Sequence, residues 1–470
     1  MDTQQIRNLQ PKLDRFLESF DDCFLYDGTR AHLRTYVEGQ LSDLPRKSVE
    51  PIALKAGVPP RTLQEFLSLL SWDHGTMRDV VERRVAKHHA SSHSIGVVDD
   101  TGCPKKGTHS PGVQRQWCGA TGKTDNCQVS VHLSYVADDF YTMLDGELYL
   151  PESWSEDRER CQACGIPDDL AFRPKWQIAL EIYDRASANG VRFRYLTFDE
   201  AYGGNSLFRA GLAARHQHYI GEIPRSLVGW ISEPPATTIR RYRRGRRGGP
   251  RAGRERLVAG QRRAKTVESH LTSTPELTEQ PWTPHYVKDG EKGPMVWEVK
   301  HVAYYPRSER DLPGERLHLI IARNALCRDE VKFFLSDAPA STSVEELLVV
   351  AFSRWTVERC FEDEKMELGF DHFEGRKYIG LKRHQAICAV TNLFLAELRL
   401  AMREKKSADH ALPDQAGTRS ARPLVVAVST VGKGSDRPSR TPDSALSGAQ
   451  CSSCEESRQA YKIETPTGRH

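Results

Sequence analysis

The sequence contains no apolar run near the ~20 residues that a membrane-spanning helix requires, because charges interrupt its longest ones. Its opening, MDTQQIRNLQPKLDRF, lacks the apolar core of a secretory leader, so neither a span nor export is expected and the cytoplasm is the expected location. A strong charge imbalance is missing too: 67 Lys and Arg stand against 63 acids, and the net +4 is too small to name a partner. There is no cysteine framework. Eleven cysteines, an odd number scattered without regular spacing, point to reduced thiols and exclude a disulfide-held scaffold. Cys161 with Cys164 and Cys451 with Cys454 are each a CxxC pair, but a four-thiolate zinc site would have to join positions very far apart in the chain.

What is present is a chain of 470 residues, 38% of them apolar, long enough for two or three domains with separate cores. Residues 1–90 read as helices, with Leu13, Phe16, Leu17 and Phe20 on one face and a short amphipathic run from Ala31 to Gln40. Within VEPIALKAGVPPRTLQEFLSLLSWD two helices meet at a Gly-Val-Pro-Pro turn, the second starting near Arg61 with Leu63, Phe66, Leu67 and Leu70 inward. That pattern fits a DNA-reading helix-turn-helix and equally a packed helical hairpin. After His93 the period shortens to that of strands: SIGVVDD, GVQRQWCGA, CQVSVHLSYVA and, after the helix PKWQIALEIYDRASANG, VRFRYLTFDE. This order predicts a mixed α/β sheet with helices on it.

Charge is segregated along the chain. From Arg240 to Arg263 there are eleven arginines and one glutamate, a Gly-rich run, including Arg240, Arg241, Arg243 and Arg244, that meets solvent or phosphate and packs no core. The loop after SIGVVDD is basic through Lys105 and Lys106. Beyond about Met402 the sequence turns rich in Ser, Thr, Pro and Gly, which predicts a mostly disordered tail over 403–470.

The chemistry rests on carboxylates. Asp99 and Asp199 each end a strand, and Glu358 lies in a stretch whose capping box, Ser343 with Glu346, predicts one helix of about seven turns running to Gly369. On such a helix Arg354, Glu358 and Lys365 share a narrow face. Three oxygen donors on anchored elements suit hard cations, two Mg²⁺ (or Mn²⁺) ions held by a shared aspartate. Asp100 is the alternative first acid, since strand alternation lets only one of Asp99 and Asp100 face a metal. The triplet Asp100-Thr101-Gly102 also occurs in aspartic proteases, which need two of them; the sequence has no second.

In order from about residue 40 to 400, the blocks VVDDTG, PKKG, GVQRQWCG, GKTDNCQVSVHLSY, LYLPESW, TFDEAYG and RWTVERCFEDEKMELGFDHFEGRKYIGLKRH resemble the DDE transposases of bacterial insertion sequences. The resemblance implies an RNase H-like core, 91–203 with 341–402, preceded by an N-terminal helical region at 1–90 and interrupted by a β-rich insertion at 204–340. It implies Asp99, two residues before Thr101, with Asp199 and Glu358 as catalytic and metal-holding acids, and Arg354 and Lys365 on the phosphates of the transposon end. The tyrosine of that signature is Ala351 here. Arg376, His384, Lys105, Lys106 and the arginine run are further expected DNA contacts. The implied partners are double-stranded DNA, at element ends and target, and further copies of the chain assembled on it. A non-catalytic, degenerate relative that only binds DNA is the alternative.

Overall fold

The computed structural model describes residues 9–239, 254–260, 263–290 and 293–409, and of residues 239, 254, 289–290, 356–358 and 404–409 the backbone only. Arg240, Arg241, Arg243, Arg244, Cys451, Cys454 and the expected tail beyond residue 409 lie outside the described residues.

The chain begins with helices α1 (Leu9–Leu17), α2 (Asp27–Gln40), α3 (Val49–Ala56), α4 (Pro60–Ser68) and α5 (His74–His88). The α3–α4 turn forms because Gly57 takes φ +72° at the end of α3 and Pro60 opens α4. Leu63, Phe66 and Leu67 point inward as their spacing predicts. Asp73 starts α5 separately, its carboxylate accepting from Gly75 N at 2.8 Å and Thr76 Oγ1 at 2.7 Å.

Next come β1 (Ile95–Pro104), β2 (Gln114–Cys118), β3 (Lys123–Ala137) and β4 (Phe140–Leu148). They are followed by α6 (Glu152–Glu156), α7 (Arg158–Cys164), α8 (Lys175–Ala188), β5 (Tyr195–Phe198), α9 (Glu200–Gly203), α10 (Ser206–Ala214) and β6 (Tyr219–Glu222). β3 lies antiparallel between β1 and β4, and β1, β5 and β6 run parallel. The order β4-β3-β1-β5-β6, with helices on both faces, is that of an RNase H-like fold. The next segment adds β7 (Val228–Trp230), β8 (Ala236–Ile239), β9 (Arg254–Leu257), β10 (Lys265–Thr266), α11 (Val267–Ser273), α12 (Pro275–Thr278) and β11 (Thr283–Gly290). After these come β12 (Gly293–Pro306), β13 (Leu317–Asn324) and β14 (Val331–Ser336). Because β14 pairs with β6, these strands continue the core sheet, which reaches twelve strands; β8 and β9 pair separately.

The single long helix expected from Ser343 to Gly369 is three segments. Ser343 caps α13 (Val344–Ser353) by accepting from Glu346 N at 3.2 Å. The Ser353 hydroxyl then donates to the Val350 carbonyl at 2.7 Å, competing with the helical ladder, and the chain restarts after Arg354 as α14 (Trp355–Asp363). From Glu364 to Leu368 the turn widens to π before Gly369, at φ +71°, ends it. The last helix, α15 (Tyr378–Asp409), includes a stretch, Tyr378–Arg403, that is long and apolar enough to cross a membrane by length and composition. Two thirds of that window is buried, and Leu393, Phe394 and Val390 share one core with Leu13, Phe16, Leu33 and Leu133, as expected of a central helix in a folded domain.

Candidate active site

β1 and β5 run parallel with Val97 opposite Thr197 and Val98 opposite Phe198. One further step sets Asp99 beside Asp199 on neighbouring strands spaced about 4.8 Å. Alternation decides the face. Ile95, Val97 and Tyr195 are buried with Leu347, Ala351, Cys360 and Phe361 of α13 and α14, whereas Val98, Leu196 and Phe198 are buried with Ile178 and Ile182 of α8. Asp99 therefore continues the α13–α14 face and Asp100 the α8 face, while Asp199 lies just past the last paired residue of β5, where alternation no longer applies. The polar contacts agree. Arg354 Nη1, between α13 and α14, donates to Asp99 Oδ2 at 3.0 Å, and Lys175 Nζ donates to Asp100 Oδ2 at 2.8 Å.

Asp199 is also the N-cap of α9, its Oδ1 accepting from Ala201 N at 3.0 Å and Tyr202 N at 3.3 Å. Burial pushes the Asp99 carboxyl up to about 7; Arg354 opposes the rise, and Asp199 and Asp100 add to it. Asp199 is raised as well, by burial first and then by the charge of Asp100, against the pull of Arg354 and the two backbone N–H groups. Half-buried carboxylates that repel each other are stabilised by a cation, and hard oxygen donors suit Mg²⁺ or Mn²⁺, so this pair fits such an ion. Among the described residues no three ligating side chains converge on one point. Glu358 lies on α14, whose Cys360 and Phe361 share a core with Val97; its side chain is outside the described residues.

The other expected contacts divide into groups. Lys365 Nζ donates to the Gly102 carbonyl at 3.2 Å, so Arg354 and Lys365 both lie along β1. Ala351 is buried and fills core space where the signature has tyrosine. Lys106 and Arg376 are exposed, and Arg376 lines a cleft of about 500 Å³ with Thr108, His109 and Arg160. Lys105 ties its loop down, donating to the carbonyls of Asp371 at 3.0 Å and Phe373 at 2.7 Å. His384 corrects the expectation of a phosphate contact. It is fully buried, bonded to Tyr36 Oη through Nδ1 and to the Phe370 carbonyl through Nε2, both at 3.0 Å, and burial lowers it to about 4.

The sequence profile of the DDE superfamily endonucleases matches residues 19–294, more than half of the chain. The chain belongs to this family. The matched segment of this DDE endonuclease holds Asp99, inside β1 rather than at its expected end, and Asp199, just past β5, and stops before α14, so Glu358 lies beyond it. A relative from Microchaete diplosiphon, "Probable transposase for insertion sequence element IS701", is 29% identical over 204 residues. The alignment covers 41% of this chain and 51% of the relative, so the chain spans about half the length of the curated relative it matches. Endonuclease membership leaves the aspartic-protease triplet without support, and Asp100 of that triplet is engaged with Lys175.

Sequence reasoning missed Lys175 and Arg160. Lys175 occupies the first turn of α8, where the helix dipole disfavours a cation, and that mismatch is the one local sign that it answers a charge elsewhere. Arg160 lies over the Trp154 ring at 3.7 Å and donates to the carbonyls of Thr108 and Val113, a tertiary arrangement with no local signal.

Proposed function

We propose that this DDE endonuclease is a transposase that cuts DNA at the ends of its own insertion sequence and joins the freed 3′-hydroxyl to target DNA. The observation that supports the reading is the parallel β1–β5 pairing, which brings Asp99 of β1 near the end of β5 that Asp199 follows, with the helix bearing Glu358 packed on the Val97 face of the same sheet. Asp99, Asp199 and Glu358 would hold two Mg²⁺ or Mn²⁺ ions. Such ions, when bound, activate the attacking water or hydroxyl and stabilise the leaving oxygen. Arg354 supplies positive charge beside Asp99 and, with Lys365, is aligned to hold the scissile phosphodiester along β1. Asp100, engaged by Lys175 on the opposite face, anchors the strand end and takes no part in the chemistry.

In this scheme residues 1–90 and the arginine segment 240–263 grip duplex DNA, Lys106 and Arg376 contact phosphates, and 91–203 with 341–402 forms the catalytic core around the 204–340 insertion. The protein acts in the cytoplasm as a multimer on element ends; the nine described cysteines are all unbridged, in keeping with a reducing compartment. The test uses the purified protein, Mg²⁺ and labelled duplex taken from the DNA flanking the gene. Wild type and Asp100→Asn should cut, while Asp99→Asn and Glu358→Gln should bind without cutting. Undiminished cutting by Glu358→Gln would remove that residue from the site.

A further inference from the structure

The cleft of about 500 Å³ that Arg376 lines holds a second arginine, Arg160, which the proposed chemistry leaves unused. Three segments wall it. Thr108 and His109 come from the loop that leaves β1, Asp157, Arg160 and Cys164 from α7 and its cap, and Arg376 from the segment between the π turn and α15. Hydrogen bonds tie these segments together: Arg160 Nη2 donates to the Thr108 carbonyl at 2.9 Å, Cys164 Sγ to the His109 carbonyl at 3.2 Å, and Lys377 Nζ to the Ala163 carbonyl at 3.0 Å. From below, α7 is fixed by its CxxC spacing, which turns Cys161 and Cys164 into a small core with Val113, Trp154 and Ile166. The walls therefore hold a set shape.

Arg160 is oriented before any ligand arrives. Its guanidinium lies over the fully buried Trp154 ring at 3.7 Å, and Nη2 donates to the Val113 carbonyl at 3.2 Å as well as to Thr108. These contacts fix the plane of the fork and leave Nε and Nη1 without a hydrogen bond among the described residues. Neither Arg160 nor Arg376 pairs with a carboxylate among the described residues. Asp157 is the acid on the wall, and its Oδ1 is already engaged, accepting from Arg160 N at 3.0 Å as the cap of α7. Two guanidinium groups against one engaged carboxylate leave the cleft positive.

A lone exposed arginine is a solvated charge and carries no meaning by itself. Here one is stacked and hydrogen-bonded into a fixed plane, a second lines the same cleft, and the volume is that of a small-molecule site. Free Nε and Nη1 donors match two oxygens of a tetrahedral phosphate side by side. We infer that the cleft seats one phosphate of the substrate DNA strand, held by Arg160 and Arg376. This inference rests on the proposal that the substrate is DNA. The seat has a use in that scheme. One wall leaves β1, which bears Asp99, and another follows α14, which bears Glu358, so a phosphate held here sets the register of the strand against both.

The experiment measures binding of the full-length protein to labelled duplex taken from the DNA flanking the gene, over a range of salt. Arg160→Gln should bind about tenfold more weakly than wild type, and the magnitude of its slope of log affinity against log salt should fall by about one. Arg160→Lys restores the charge but not the fork, so it should recover the slope and only part of the affinity. Arg376→Ala should weaken binding by a similar factor, and adding it to Arg160→Gln should cost less than the product of the two, because both groups hold one phosphate. Asp157→Asn keeps the cap of α7, removes the acid from the wall and should tighten binding about twofold with the melting temperature unchanged. Wild-type affinity and slope in Arg160→Gln, or no tightening in Asp157→Asn, would overturn the seat while leaving the function intact. So would a rise in wild-type melting temperature with adenosine monophosphate that Arg160→Gln abolishes without any change in DNA affinity, since the cleft would then take a free nucleotide. Failure of wild type itself to bind the duplex would overturn the DNA reading on which the seat rests.

Discussion

Replacing Glu364 by glutamine should stabilise the protein in alkaline solution and leave it nearly unchanged in acid. Glu364 opens the π turn after α14, is 1% exposed, and has neither carboxyl oxygen hydrogen-bonded. Burial, reinforced by Asp363 and opposed by Lys365, raises it to about 8. The sign follows from proton counting. Between the ordinary carboxyl pKa of ~4.3 and about 8, the folded state keeps this proton while the unfolded state has lost it, so folding becomes less favourable as pH rises through that window. One group with that shift costs at most about 5 kcal/mol by pH 8, at ~1.36 kcal/mol per unit, and relaxation of the interior reduces this to about 2 kcal/mol. Glutamine has the same shape and does not titrate, so the gap between variant and wild type should be near zero at pH 5 and open to about 2 kcal/mol or more at pH 9. Urea midpoints across that range measure it, and the comparison cancels other groups such as Glu82, which burial also raises to about 8. A gap independent of pH, or one that widens toward acid, would refute the reasoning.

Two further substitutions separate structure from chemistry. Asp199→Asn keeps a good N-cap for α9 and should change stability by less than about 0.5 kcal/mol while abolishing cleavage, whereas Asp199→Ala should lose cleavage and about 1 kcal/mol more; cutting by the Asn variant would reduce Asp199 to a cap. His384→Phe strands the partners at Tyr36 and Phe370 and should cost about 2 kcal/mol in urea unfolding, with the DNA affinity of the folded protein and its salt slope unchanged. Weaker DNA binding without a stability loss would restore the histidine to a phosphate contact.

The core sheet was legible because its strands alternate, but only Asp199 stands at a strand end; β1 runs on through Asp99 to Pro104, an extension that the Asp-Asp-Thr-Gly run hides and pairing with β3 supplies. The choice between Asp99 and Asp100 was half legible: alternation requires opposite faces, but Lys175 and Arg354, which identify those faces, reach the pair through tertiary packing. The long helix was misread at Ser353 and Glu364, where a hydroxyl competes for a carbonyl and a buried acid accompanies a widened turn. The expected DNA contact of His384 would put the run Lys382-Arg383-His384 at the surface. All three are buried, because α15 is enclosed on more than one side: Lys382 reaches Glu147 of β4 at 2.8 Å, and Arg383 donates to the Trp72 carbonyl at 2.8 Å and the Leu67 carbonyl at 3.2 Å.

The burial of α15 among the N-terminal helices sets an order of events during synthesis. Arg84 grips Glu397 through two bonds at 2.6 and 2.8 Å, Thr391 donates to Gln40 at 2.6 Å, and Tyr36 meets His384. Residues near the start of the chain thus wait for residues made some three hundred positions later, and contacts of such long separation form slowly. A ribosome that has released β1 and β5 has made both aspartates but neither α14 nor the helix that closes the core. Under the proposed function, chains that end before α14 would carry both aspartates without Glu358 and should not cut.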